Sequence, residues 1–266
     1  VTVVETVGAL VAAFAPHPVR TSAVEIAAAQ LGIDANHVRV ALTRLRSSGK
    51  IISEKRGVVR LSDAVQLRQT ALGSWRARLD RIVPWDGSHY VALTSWLPKS
   101  DRRAARSRSR ALEQLGFVEH HPGVAIRPAN LDLSLAAMTE LMRRLGFDDE
   151  GDVLIAKELS FEPQADWFPR IDYRARVEEL KTSLAEIRDA PCVESAVAAF
   201  RLANHYIREA VHDPLLPGAW VDATARRDFW RTLIDYDAFG RTLWKTHVWN
   251  TTTGKGAVDE TILASS

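Results

Sequence analysis

The chain has 266 residues, enough for one large domain or two to three small ones. Hydrophobic residues make up 46% and charged residues 26%; there is one cysteine, Cys192, and no apolar run near the ~18 residues of a membrane span. These values argue against disordered, fibrous, disulfide-stapled and membrane-spanning classes. The net charge of +2 hides a split, because residues 1–80 carry 11 Lys and Arg against 6 Asp and Glu, residues 81–130 carry 8 against 4, and residues 131–266 carry 16 against 23. A basic front and an acidic back point to a polyanionic partner at the N-terminal end. The lone cysteine fits a reducing, cytoplasmic setting, and the apolar start, which carries Glu5 and no basic leader, reads as a helix and not a signal peptide.

Apolar spacing predicts a first helix over residues 2–14, ended by Pro16 and Pro18. A second begins at Ser22, with Glu25 placed three residues on for a capping box, and runs to about Gln30. Gly32 makes a tight turn, Asp34 caps a third helix, and Gly49 stops it. In that third helix Val38, Ala41, Leu42 and Leu45 form the inward face. Asn36, His37, Arg39, Val40, Thr43, Arg44 and Arg46 lie on the other faces, residue types suited to reading base edges and phosphates in a DNA groove. Ile51-Ile52-Ser53 and Val58-Val59-Arg60-Leu61, joined by Glu54-Lys55-Arg56-Gly57, predict a basic β-hairpin of wing size, from which Lys55, Arg56 and Arg60 reach phosphates or a minor groove. Helix, glycine turn, helix and basic hairpin together form a winged helix-turn-helix pattern over residues 1–63, a DNA-binding unit or else a protein-interaction module.

Residues 63–81 read as a connecting helix, the linker between domains being residues 64–84. Residues 85–162 then alternate as strand 89–94, helix 100–115, strands 117–120 and 124–127 around Pro122-Gly123, helix 131–145 and strand 153–159. This β-α-β-β-α-β order is that of a ferredoxin-like domain. Its first helix gathers Arg102, Arg103, Arg106, Arg108 and Arg110, a basic patch for DNA phosphates or the phosphates of an effector, or simply a solvated face. His120-His121 are either metal ligands or structural, and without a Cys or carboxylate at ligand spacing no metal is assigned.

Residues 163–266 read as a helical C-terminal domain, with helices over 172–189, from Pro191 to about 211, and over 222–249. Val177, Leu180, Leu184 and Ile187 point inward in the first of them, and residues 212–218 form a rigid turn. Trp220, Trp230, Trp244 and Trp249 concentrate here, as core, dimer interface or effector pocket, and the tail after Thr251 reads as frayed. The fold class is therefore α+β in three parts.

The three-part order resembles the PaaX family of repressors of phenylacetate-degradation operons. The matching segments are residues 38–45 followed by Gly49, Trp85-Asp86-Gly87, Leu115-Gly116-Phe117-Val118 with Pro122-Gly123-Val124-Ala125-Ile126-Arg127-Pro128, and Asp213-Pro214-Leu215-Leu216-Pro217. Ala125 stands where the family has an aromatic, and Pro217-Gly218-Ala219-Trp220 is shorter than the family's Pro/Trp/Gly run. The resemblance implies a winged-helix head, a central domain similar to small CRISPR-associated nucleases, a helical C-terminal domain that helps to dimerise, and repression relieved by an aryl-acyl-CoA.

The expected function is a homodimeric transcriptional repressor that binds a double-stranded DNA operator of an aromatic-acid catabolic pathway. Arg102, Arg103, Arg106 and Trp220 are the candidate effector residues, and no cofactor, catalytic residue or membrane partner is expected. Two other readings are an acyl-CoA-binding or protein-interaction module without DNA binding, and a metal-dependent nuclease. The nuclease is disfavoured because Asp86 precedes the first central strand, whose end carries Thr94-Ser95-Trp96 and no carboxylate.

Overall fold

A computed structural model describes residues 2–249 apart from Pro16 and Lys99, leaving out the side chains of Gln69 and Trp249. The tail expected to fray lies outside the described residues, as does the Trp249 side chain. The chain mixes helices with two antiparallel sheets, so the α+β class holds. It separates into two compact units. One comprises Val1–Gln66, Glu178–Tyr206 and the described residues from Thr232 on; the other comprises Leu67–Val177 and Ile207–Arg231.

In the first unit, helix α1 (Val3–Ala12) opens with a capping box in which the Thr2 hydroxyl accepts from the Glu5 N–H and the Glu5 carboxylate accepts from the Thr2 N–H. Strand β1 (Val19–Arg20) was not visible in the sequence pattern. It leads directly into α2 (Thr21–Gln30), which corrects the expected Ser22 cap: Arg20 is the N-cap residue and supplies no side-chain bond. The helix start is set by the sheet. Val19 and Arg20 pair with Val59 and Val58, and the Thr21 N–H donates to the Gly57 carbonyl at 2.8 Å, so helical geometry begins where strand pairing ends. Helix α3 (Ala35–Ser47) and strands β2 (Ile51–Lys55) and β3 (Val58–Leu61) fall where the pattern places them. The sheet order is β1-β3-β2, with a register shift between Ser53 and Lys55.

The core of this unit joins Val7, Leu10 and Val11 of α1 with Val24, Ala27 and Ala28 of α2 and Val38, Ala41, Leu42 and Leu45 of α3. Burial of each Val or Leu contributes about 1.5–3 kcal/mol. The same unit takes in parts of α7 (Tyr173–Asp189), α8 (Val193–His212) and α9 (Ala223–Trp244). There the hydroxyls of Ser183 and Tyr236 are hydrogen-bonded at 2.8 Å. Pro191 lies two residues ahead of α8 instead of in its first turn, and α9 stops at Trp244, before a π-helical turn over Lys245–Trp249.

The expected single helix over 63–81 is broken. Helix α4 (Asp63–Thr70) ends before Gly73, whose φ of +91° is left-handed, and a 3-10 turn follows over Trp75–Arg81. The break carries Leu72 and Arg78 into the interior of the second unit. Its sheet contains β4 (His89–Leu93), β5 (Val118–His121), β6 (Val124–Pro128) and β7 (Asp152–Ala156) in the order β5-β6-β4-β7. Helix α5 (Arg102–Gln114) connects β4 to β5, and α6 (Leu135–Leu145) connects β6 to β7. Helix α6 starts four residues later than expected, at the Ser134 cap, because Leu131 bridges to Ile82 and Leu133 accepts a hydrogen bond from the Tyr90 hydroxyl.

Residues 213–217 form a buried, non-regular segment against this sheet. Each of four successive carbonyls accepts from a different side chain: Asp213 from Arg78 at 3.1 Å, Pro214 from Arg127 at 3.4 Å, Leu215 from Asn130 at 2.7 Å and Leu216 from Arg226 at 2.7 Å. Arg127 also donates to the Pro128 carbonyl at 3.0 Å, the Asn130 side-chain oxygen at 3.2 Å and the Leu115 carbonyl. Burial pushes Arg127 down to about 9 and Arg78 down to about 10. The Asp213 carboxylate accepts from the Tyr173 hydroxyl and the Leu215 N–H, each at 2.6 Å. Burial raises the pKa of Tyr173, and the neighbouring Asp213 charge raises it further, so the phenol remains the donor.

Tyr173→Phe is expected to lower stability by about 1–3 kcal/mol in urea unfolding, because a buried oxygen of Asp213 loses its partner. Gly116→Ala is expected to cost about 1–3 kcal/mol. Gly116 has a φ of +74°, and a Cβ there would lie 2.9 Å from the Pro214 Cα.

Candidate nucleic-acid interface

Helix α3 is built with one dry and one wet side. The Asp34 carboxylate accepts from the N–H groups of Asn36 at 2.9 Å and His37 at 3.1 Å, and it also bonds the His37 ring. These bonds together hold the Asp34 pKa below its ordinary value, so the cap is charged at neutral pH. With Val38, Ala41, Leu42 and Leu45 turned into the core, Asn36, His37, Arg39, Val40, Thr43, Arg44 and Arg46 are all exposed. The structure therefore brings these seven residues of the sequence reading onto the exposed part of one helix.

Their availability differs. Arg39 reaches back to the Glu25 carboxylate of α2 at 3.3 Å, and Thr43 bonds the Arg39 carbonyl at 2.9 Å. Arg46 donates to the Ser53 hydroxyl at 3.0 Å and so ties α3 to the hairpin. In the hairpin Lys55 and Arg56 are exposed, whereas Arg60 is held by Glu54 at 2.8 Å and Asp63 at 2.6 Å, which raise its pKa and already neutralise it. Arg44, Lys55 and Arg56 make no ion pair or side-chain hydrogen bond among the described residues. Arg20 of β1, exposed and opposite Val58, is one further cation that the sequence reading missed; its only signal was a two-residue strand too short to show a period.

In the second unit Arg102, Arg103, Arg106 and Arg110 of α5 are exposed. Arg108 is not part of that patch: it is 8% exposed and pairs with Asp148, its Nε donating at 2.8 Å. Trp220 lies with other rings, those of Trp85 at 4.9 Å, Phe168 at 5.8 Å and His89 at 6.3 Å. None of these is an α5 arginine. Trp230 and Trp244 are buried, Trp230 donating to the Trp75 carbonyl at 2.8 Å. His120 stacks on Phe161 at 3.9 Å and on Trp167 at 4.9 Å. Among the described residues no group of three or more His, Cys, Asp or Glu is placed to hold a metal ion, and no helix is long and apolar enough to cross a membrane. Asp86 is spent locally, accepting from the Ser88 N–H at 3.0 Å and hydroxyl at 2.5 Å.

No protein-family profile matches the chain, and no curated protein does. Among solved structures it is similar to an uncharacterized protein, Rv0674, from Mycobacterium tuberculosis, at 22% identity and a TM-score of 0.48, over 90% of this chain and 97% of that one.

His89 gives a pH dependence with a defined sign. It is 4% exposed, and burial pushes its pKa below the ordinary histidine value against the opposing pull of the Gly87 backbone. As pH falls through about 6.5 the unfolded chain takes up a proton there and the folded one does not, so stability present at neutral pH is lost in acid. The urea midpoint is expected to fall between about pH 7.5 and about pH 5, and to fall less in His89→Phe, whose ring fills the site without titrating.

Proposed function

We propose that the protein is a DNA-binding transcriptional regulator acting as a repressor. In this reading α2 and α3 are a helix-turn-helix, β2 and β3 its wing, and the β4–β7 sheet with α5 and α6 a ferredoxin-like domain. The observation that carries it is the division of α3, four apolar side chains inward and a row of Asn, His, Arg, Val and Thr outward, beside a hairpin bearing the unpaired cations Lys55 and Arg56. Asn36, Arg39, Thr43 and Arg44 read base edges in the major groove, with Val40 against a thymine methyl; His37, Lys55, Arg56 and Arg60 add phosphate contacts, Arg60 after leaving its carboxylates.

The partner is an operator with two-fold symmetry, bound by a homodimer in the cytoplasm. Support for a second copy comes from β7, an edge strand with Leu154 and Ile155 37% and 41% exposed. The resemblance to PaaX repressors adds an aromatic-acid catabolic operon as target and an aryl-acyl-CoA as the effector that favours the non-binding state.

The test is selection of duplexes from a random-sequence library by the full chain at fixed salt. A symmetric consensus is expected, and Arg44→Ala should weaken binding to it by about 1–3 kcal/mol, roughly 5- to 150-fold, while relaxing preference at one position of each half-site. Recovery of no consensus would overturn the reading.

A further inference from the structure

We propose that the exposed flank of α5 is a second DNA-binding surface, one that grips the backbone of a duplex without reading its sequence. Arg102, Arg106 and Arg110 follow one another at four-residue steps, a stripe about 12 Å long at 1.5 Å per residue, with Arg103 beside it. All four are exposed, and none makes an ion pair or side-chain hydrogen bond among the described residues. The one carboxylate at their end of the helix, Asp101, is occupied as the N-cap, accepting from the N–H groups of Arg103 at 2.9 Å and Ala104 at 3.0 Å. The fifth arginine, Arg108, is the one the fold neutralises, through Asp148.

This arrangement works against the helix that carries it. Cations in the first turn oppose the helix dipole, and like charges four residues apart repel. A polyanion laid along the stripe relieves both penalties. The flank suits a repeating anion better than a compact one. The cavity of about 480 Å³ that borders the start of α5 is lined by Trp96, Asp101, Glu150 and Asp148, the partner of Arg108, with no lysine or arginine among its described lining residues to hold the phosphates of a CoA ester. Every fully exposed residue of α5 is polar, so no apolar side chain is offered to a lipid surface. Beyond the arginines the flank shows only Ser109 and Glu113, a set that positions on phosphates and does not specify bases.

The inference rests on DNA being the partner proposed for α3, and the test keeps the two apart. Binding of the full chain to a duplex of arbitrary sequence is measured across a series of salt concentrations. The variant Arg102→Ala/Arg106→Ala/Arg110→Ala replaces exposed residues by the best helix former, so the helix is retained. Its slope of log affinity against log salt is expected to be shallower by about 2.7, because three phosphates are no longer neutralised, while preference for the selected consensus over arbitrary sequence is kept. The corresponding triple lysine variant, which keeps the charges, is expected to retain the slope. An unchanged slope in the alanine variant overturns the proposal, as does a variant that instead loses binding to coenzyme A or to anionic phospholipid vesicles with DNA binding intact. A shallower slope in a protein that selects no consensus upholds the α5 surface and overturns the α3 reading. Loss of consensus binding in Arg44→Ala with no slope change in the α5 variant does the reverse.

Discussion

Four backbone carbonyls in a row, buried and outside any helix or strand, are the constraint around which the second unit is organised. Segment 213–216 cannot satisfy itself, and a buried carbonyl left without a donor costs free energy comparable to a lost hydrogen bond. The donors therefore come from side chains supplied by four places in the chain: the 3-10 turn through Arg78, strand β6 through Arg127, the loop after that strand through Asn130, and the start of α9 through Arg226. Three guanidiniums are buried to do this, and one carboxylate, Asp213, answers them. Arginine is the residue for the task, since its planar fork offers five donors and can bridge several carbonyls at once, as Arg127 does. The position also explains the broken connecting segment. A continuous helix through 63–81 would leave no kink at Gly73 to carry Arg78 inward.

The first unit solves a different problem, the orientation of a short helix pair against a small sheet. Two residues of β1 and one bond from Thr21 to Gly57 lock the start of α2 to the tip of the hairpin, and Arg46 locks α3 to Ser53 on the same hairpin. The exposed cations then fall into two kinds. Arg39 and Arg60 are anchored by carboxylates and serve geometry in the free protein, whereas Arg44, Lys55 and Arg56 have no carboxylate partner among the described residues.

Much of this was legible in the residues, for identifiable reasons. The inward set Val38, Ala41, Leu42 and Leu45 repeats at the helical period, and Asp34 is a short acceptor placed where that helix starts. Strands β4 and β6 carry short apolar runs, and Pro122-Gly123 marks the turn between β5 and β6. What stayed hidden depended on distant partners. Strand β1 is too short to show alternation and exists because β3 lies beside it. Arg108 carries the same local signal as its four neighbours, and only Asp148, forty residues away in sequence, turns it inward. Trp220 and the α5 arginines were grouped by chemistry, and the structure gives Trp220 aromatic neighbours instead.

The order β1-β3-β2 leaves one side of β2 without a neighbouring strand in its sheet. An open strand edge is a template for another chain, and proteins commonly guard such edges with charge. Here Lys50, Glu54, Lys55 and Arg56 stand exposed along and beside that edge. The hairpin's cations consequently act as gatekeepers of solubility in the free protein. Neutralising Lys55 and Arg56 would remove a charge barrier to sheet-to-sheet aggregation, so under the proposed function a loss of DNA binding would be coupled to a loss of colloidal stability at these two positions and separable from it at Arg44.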